Sequence, residues 1–121
     1  MEGYQLEVIR KTWQERKQRK EQEEAGRKQD AIEKAKKAAV FLKDTYQVKN
    51  VYLFGSLVWG KHFTVSSDID ILIDDFSGSA NYWEALAAVE HIARPFPISI
   101  VIAKNAKSSL VEKVKKEGML L

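Results

Sequence analysis

The apolar positions change period several times along the chain, and each change predicts an element. Leu6, Ile9 and Trp13 recur at helical spacing, so a helix with one apolar stripe is predicted to begin over residues 4–14. From Gln14 to Asp30 nearly every residue is charged or glutamine, with Ala25 and Gly26 the exceptions. Pairs four apart, such as Glu15–Arg19 and Glu33–Lys37, add a few tenths of a kcal/mol each to an exposed helix, against about 1 kcal/mol lost at Gly26. The preferred reading is a solvated, partly frayed helix. Ile32, Ala35, Ala39, Leu42 and Tyr46 then make a stripe at three-four spacing, on a helix that ends near residues 47–50 and should cover one side of a sheet.

The period then falls to two. Val51–Phe54 reads as a short buried strand stopped by Gly55, a residue free to take positive φ. A loop from Leu57 to Ser67 follows, containing Gly60, and leads into Ser67-Asp68-Ile69-Asp70-Ile71-Leu72-Ile73. In a strand the side chains alternate, so Ile69, Ile71 and Ile73 share a core face while Asp68, Asp70 and Leu72 share the other. Beyond a polar turn at residues 76–79, a helix is predicted from Tyr82 to about Ala93 with Trp83, Leu86, Val89 and Ala93 inward. Pro95 and Pro97 fence off a strand at Ile98–Ile102, with its isoleucines on one face and Ser99 and Val101 on the other. A last helix, about Ala106 to Glu117, turns Leu110, Val111 and Val114 inward. This order predicts a small α/β (α+β) domain: a mixed sheet of three or four strands with helices packed on one side, preceded by a long charged helix.

Composition narrows the class. The 121 residues make one domain with a single core, divided into a charged extension at 1–29 and a folded unit at 30–121. The absence of cysteine excludes disulfides and thiolate metal sites, and no apolar run approaches the length of a bilayer span or a secretory core. A cytoplasmic protein with no membrane association is expected. Charge is uneven: residues 1–50 carry 13 Lys and Arg against 9 Asp and Glu, while residues 51–121 carry 7 against 8. Lys11, Arg16, Lys17, Arg19 and Lys20 cluster, but Glu21, Glu23 and Glu24 dilute their field, so nucleic acid is not the expected partner. Docking of Leu6, Ile9 and Trp13 onto a partner, or onto a second copy as an oligomer, stays open beside the solvated helix.

The chemistry centres on residues 50–74. Asp68 and Asp70, two carboxylates about 7 Å apart along a strand, suit a hard cation that wants oxygen ligands. Gly55-Ser56 offers a close backbone approach, turn N–H donors and a hydroxyl, which suit a phosphate. Together they describe a site for a metal-bound nucleoside triphosphate. Asp74, about 13 Å beyond Asp70 at strand rise, is a poor third ligand. In the intervening loop, Lys61 could approach a triphosphate, although a lone loop lysine is usually solvated. His62 reads as an unpartnered surface residue, and Trp59 and Phe63 read as space-fillers rather than base-stacking groups. His91 has no expected chemical role.

Gly55-Ser56 with Asp68-Ile69-Asp70 resembles the nucleotidyltransferase superfamily of DNA polymerase beta type, and within it the minimal nucleotidyltransferases, many of them paired as antitoxins with HEPN-domain toxins. The resemblance spans roughly residues 30–121, including the closing Glu117-Gly118-Met119-Leu120-Leu121. Two features depart from the pattern. Eleven residues separate Ser56 from Asp68 where the family commonly has ten, an insertion that a surface loop tolerates. The strand after the prolines usually carries a third carboxylate, the general base, but the matching residue here is Ser99, which cannot act as a carboxylate at neutral pH.

The resemblance implies Mg²⁺ at Asp68 and Asp70, phosphates at Gly55 and Ser56, and transfer of a nucleoside monophosphate, AMP from ATP, to a hydroxyl of a HEPN-type toxin. The alternative is a nucleotide-binding module, weak or inactive because of Ser99, that neutralises its partner by contact. Transfer to a small molecule such as an aminoglycoside is set aside, because the chain leaves little room for a second substrate domain.

Overall fold

A computed structural model describes residues 2–60, 62–64, 66–77 and 80–121. A single long helix, α1 (Glu2–Tyr46), precedes β1 (Val51–Phe54), the one-turn α2 (Ser56–Trp59), β2 (Ile69–Ile73), α3 (Tyr82–Ala93), β3 (Ile98–Ile102), α4 (Ser108–Glu117) and β4 (Met119–Leu120). The four strands lie in the order β3-β2-β1-β4. β2 is antiparallel to β1 and parallel to β3, and β1 is antiparallel to β4, so the sheet is mixed as expected.

Alternation along the central strands gives the sheet two distinct faces. Val51, Leu53, Ile69, Ile71, Ile73, Ile98 and Ile100 face the main core, where Ala31, Ala35, Ala38, Ala39 and Leu42 of α1 and Ala85, Val89 and Ala93 of α3 meet them. Alanines on α1 let its backbone lie close over the isoleucines. The opposite face holds a smaller cluster of Phe54, Leu72 and Val114, flanked by Tyr52, Val101, Leu110 and Val111. Helix α4 therefore covers the second face, and the expectation of helices on one side is corrected. Leu72 is the reason: it shares Asp70's face yet is fully buried, and only an amphipathic helix laid there can bury it.

Several boundaries move. The loop expected from Leu57 instead starts as α2, closed by Val58 and Trp59 N–H groups donating to the Gly55 carbonyl at 3.1 and 2.8 Å. Trp83, expected inside, is 74% exposed and lies edge-on to Tyr82. The inward face of α3 runs through Ala85, Val89 and Ala93, a four-residue period that leaves position 83 on the far side. Asn81 caps α3 by accepting from the Glu84 N–H at 3.1 Å. A 3₁₀ turn at Ala103–Asn105 delays α4 to Ser108. β4, absent from the sequence expectation, is two residues long and pairs with β1. A side chain at Gly118 would meet the Val114 and Leu53 carbonyls at 2.5 and 2.9 Å, so glycine is what lets the chain turn from α4 into this edge.

Helix α1 runs without a break through Gly26 and across residue 29, where the sequence suggested a division. Its inner face is one stripe at three-four spacing: Leu6, Ile9, Trp13, Lys17, Lys20, Glu24, Arg27, Ala31, Ala35, Ala38 and Leu42. From Ala31 onward the stripe is buried under the sheet. At Glu24 and Arg27 it holds the loop: Glu24 accepts from the Phe63 N–H at 2.8 Å, and an Arg27 guanidinium N–H donates to the Phe63 carbonyl at 3.5 Å. Before Glu24 it extends past the edge of the domain.

Candidate functional site

The site lies at one end of the β2–β3 pair, on the face that α4 half covers. Phe54 stands opposite Asp70 across the antiparallel pair, and Ser99 stands beside Asp70 across the parallel pair. All three share one face because paired residues point the same way. Leu72 and Val101, one step further along, are covered by the α4 cluster, whereas Ser99 is exposed and Asp70 half-buried. The open end of the face is therefore acidic and polar, and its closed end is apolar.

Gly55 is fitted to Asp70. Its φ of 81° and ψ of −151° lie in a region that essentially only glycine occupies. A β-carbon there would strike a carboxylate oxygen of Asp70. The turn thus brings the backbone against the acid with nothing between them, and Ser56 follows at the start of α2. Trp59 fixes this turn from the other side. Its indole N–H donates to the Glu117 carbonyl at 3.3 Å, its ring lies 6.0 Å from that of Phe54, and Lys113 Nζ sits 4.5 Å from the ring centre.

Asp68 is exposed one residue before β2, where the Ile69 N–H donates to the Pro97 carbonyl at 2.8 Å and anchors the strand's start. Burial, and after it the charge of Asp68, holds the Asp70 carboxyl above the usual 3.8. No hydrogen bond to the Asp70 carboxylate occurs among the described residues to offset this. A carboxylate pair of this kind, one member partly desolvated and repelled by the other, is stabilised by a hard cation. Two carboxylates are also what Mg²⁺ commonly takes from a protein, the remaining positions going to water and substrate phosphates. The residues present fit such an ion. No group of three or more His, Cys, Asp or Glu gathers among the described residues.

The other candidates separate from the site. Asp74 is paired with Lys115 at 3.2 Å. Phe63 is buried in the main core, its ring 5.9 Å from that of Phe96. His62 has a partner after all: its Nδ1 lies 3.1 Å from a Glu24 carboxylate oxygen, 38 positions away in sequence. Lys61 lies outside the described residues. Sequence reading missed both the Glu24–Arg27 clamp and the Trp59–α4 tie, because each joins groups dozens of residues apart with no local signature.

A strand-turn that presents glycine and serine to a carboxylate pair on a small mixed sheet defines a nucleotidyltransferase. The comparison with known sequences agrees: residues 36–121 match the family described as Polymerase beta, Nucleotidyltransferase, and the chain belongs to that family. It is 30% identical over 82 residues to the Methanocaldococcus jannaschii protein named "Putative protein adenylyltransferase MJ1379", an alignment covering 65% of this chain and 81% of that one. Among solved structures, the toxin–antitoxin MntA–HepT pair matches with a TM-score of 0.52, 22% identity, and coverage of 72% of this chain and 68% of the other. A mutant form of that pair gives 0.56 at 22% identity, covering 71% and 70%. A toxin–antitoxin structure with AMP-PNP gives 0.54 at 22%, covering 69% of each. At that identity the solved structures speak for the fold.

Proposed function

We propose that the chain transfers a nucleoside monophosphate, AMP from ATP, to a hydroxyl of a partner protein, and that the partner is a HEPN-type toxin. The observation that carries the reading is Asp70 seated against Gly55 with Asp68 close enough to raise its pKa. The name of the M. jannaschii relative favours a protein acceptor, and the MntA–HepT and AMP-PNP neighbours favour a toxin partner and an adenine nucleotide. The proposed site acts inside a cytoplasmic protein, and the 30–121 unit would carry it.

In this reading Asp68 and Asp70 hold Mg²⁺, and Gly55 and Ser56 bind the distal phosphates. When bound, the ion neutralises charge on the triphosphate as pyrophosphate leaves. The acceptor oxygen forms a bond to the α-phosphorus as the bond to pyrophosphate breaks. The acceptor's proton has no carboxylate to receive it, since Ser99 stands beside Asp70 where the family's base belongs. It passes instead to water or to the phosphate, and transfer is slow.

Ser99 also favours a second reading, in which the site binds nucleotide and the chain silences its partner by contact alone. Intact-mass analysis of the neighbouring gene's product, after incubation with this chain, ATP and Mg²⁺, separates the two. A mass gain of one or more adenylyl groups, absent with Asp68→Asn/Asp70→Asn, supports transfer; tight binding without a mass gain supports contact. Ser99→Asp is expected to raise the transfer rate by about 10²-fold or more, the usual size of a general-base contribution. An unchanged rate would mean that Ser99 is not the base position.

A further inference from the structure

Helix α4 lies across the face that carries the site, and its two flanks meet different ends of the sheet. Val114 is buried against Phe54 and Leu72. At 3.6 residues per turn, Lys113 and Lys115 stand about 100° to either side of Val114, and Glu117 falls about 60° from it on the Lys113 side. The Lys115 flank points to the closed end, where Lys115 Nζ lies 3.2 Å from Asp74, just beyond β2. The Lys113 flank points to the open end. There the Trp59 indole N–H donates to the Glu117 carbonyl, and Lys113 Nζ sits 4.5 Å from the Trp59 ring centre. Trp59 closes the turn that Gly55 and Ser56 begin, and its ring lies 6.0 Å from that of Phe54, the residue opposite Asp70. Lys115 thus has a carboxylate partner. Lys113 has none in ion-pair range among the described residues, and its ammonium rests on an aromatic ring.

We propose that Lys113 binds the distal phosphates of the nucleoside triphosphate, as a cation that α4 delivers to the Gly55-Ser56 turn. The proposal rests on the nucleotide reading of the site and adds a residue to it. Asp68 and Asp70 make the open end negative, so a triphosphate held there needs positive charge from the protein as well as from the metal. Gly55 and Ser56 carry no charge, and Lys113 stands beside the turn they form. An exposed cation–π contact is weaker than a charge-assisted hydrogen bond to a phosphate oxygen, so exchanging the ring for a phosphate is favourable. The flexible four-carbon stem of lysine permits that short movement. A packing role alone accounts for less. Trp59 is already fixed by its indole N–H and by Phe54, and Lys113 is exposed, so the ammonium is not needed to hold the ring.

The test is equilibrium binding of ATP and of AMP to the full chain by titration calorimetry, each with Mg²⁺ present. Lys113→Ala should weaken ATP by about tenfold or more, the size of one charge-assisted hydrogen bond, and leave AMP unchanged. Lys113→Arg should recover most of the loss. Lys116→Ala removes the same charge from the outer face of α4, and it should change ATP affinity by no more than about twofold, because a distant exposed charge is screened. An equal loss for ATP and AMP would show that Lys113 acts through the fold and would overturn the proposal, as would an equal effect of Lys116→Ala. Unchanged ATP affinity in Lys113→Ala, with Asp68→Asn/Asp70→Asn still weakening it, would overturn the role of Lys113 and leave the nucleotide site standing. Absence of ATP binding by the wild-type chain would overturn both.

Discussion

Asp70 carries opposing demands. Burial and Asp68 hold its carboxyl above 3.8, so the folded state keeps the proton more tightly than the unfolded chain does. Below the unfolded value both states are protonated and there is no penalty. As pH rises through the folded value the penalty develops, and above it is complete. Asp70→Asn should therefore stabilise the protein at pH 7 while abolishing transfer, and the gain should shrink as pH falls through about 4. Urea unfolding of both proteins from pH 3 to pH 7.5 measures this; a gain that grows toward low pH would refute it. Adding Mg²⁺ at pH 7 should stabilise wild type more than the variant. Gly55→Ala is expected to cost about 1–3 kcal/mol, because alanine at φ 81° is strained and its methyl strikes Asp70. Chemical denaturation reads that loss directly.

At the scale of elements, the site depends on joints that cross the sequence. The 62–64 loop, which leads by a short turn into Asp68, is held to α1 by Glu24. Glu24→Ala should leave the Phe63 N–H without its acceptor and cost about 1–3 kcal/mol, less whatever water recovers. Faster amide exchange at Phe63, with little change in the central strands, is the expected signature. The sequence made the alternating strands and the period of α3 legible, because residues two or four apart report burial directly. It could not show which side α4 would take, since a stripe of Leu110, Val111 and Val114 fits either face of a sheet. Nor could it place Trp83, whose size suggests the interior while its position on the helix faces outward.

Over the whole molecule, α1 joins two parts with different roles. Residues from Glu24 onward close the core, while the preceding turns pack against nothing in the domain. The division expected at residue 29 falls within one continuous helix, and the hydrogen bonds from that helix to the 62–64 loop are made by Glu24 and Arg27. Removing residues 1–20 should change unfolding free energy by no more than about 0.5 kcal/mol, as for surface changes elsewhere. Far-UV dichroism should lose the helical signal of those turns. A large loss of stability would show that the overhang supports the fold.

The sequence by itself determined the strand faces, the glycine-serine turn and the alternation that sets Asp70 and Ser99 on the faces opposite the isoleucines. Each depends on spacing within a few residues, where backbone geometry leaves little choice. Only the tertiary structure decided that Ser99 stands beside Asp70, that Gly55 has no room for a side chain, and that α4 seals one end of the site's face while leaving the other open. It also decided that the N-terminal apolar residues continue the docked stripe of α1. Those relations join residues tens of positions apart, and only the packing of the core fixes which distant groups become neighbours.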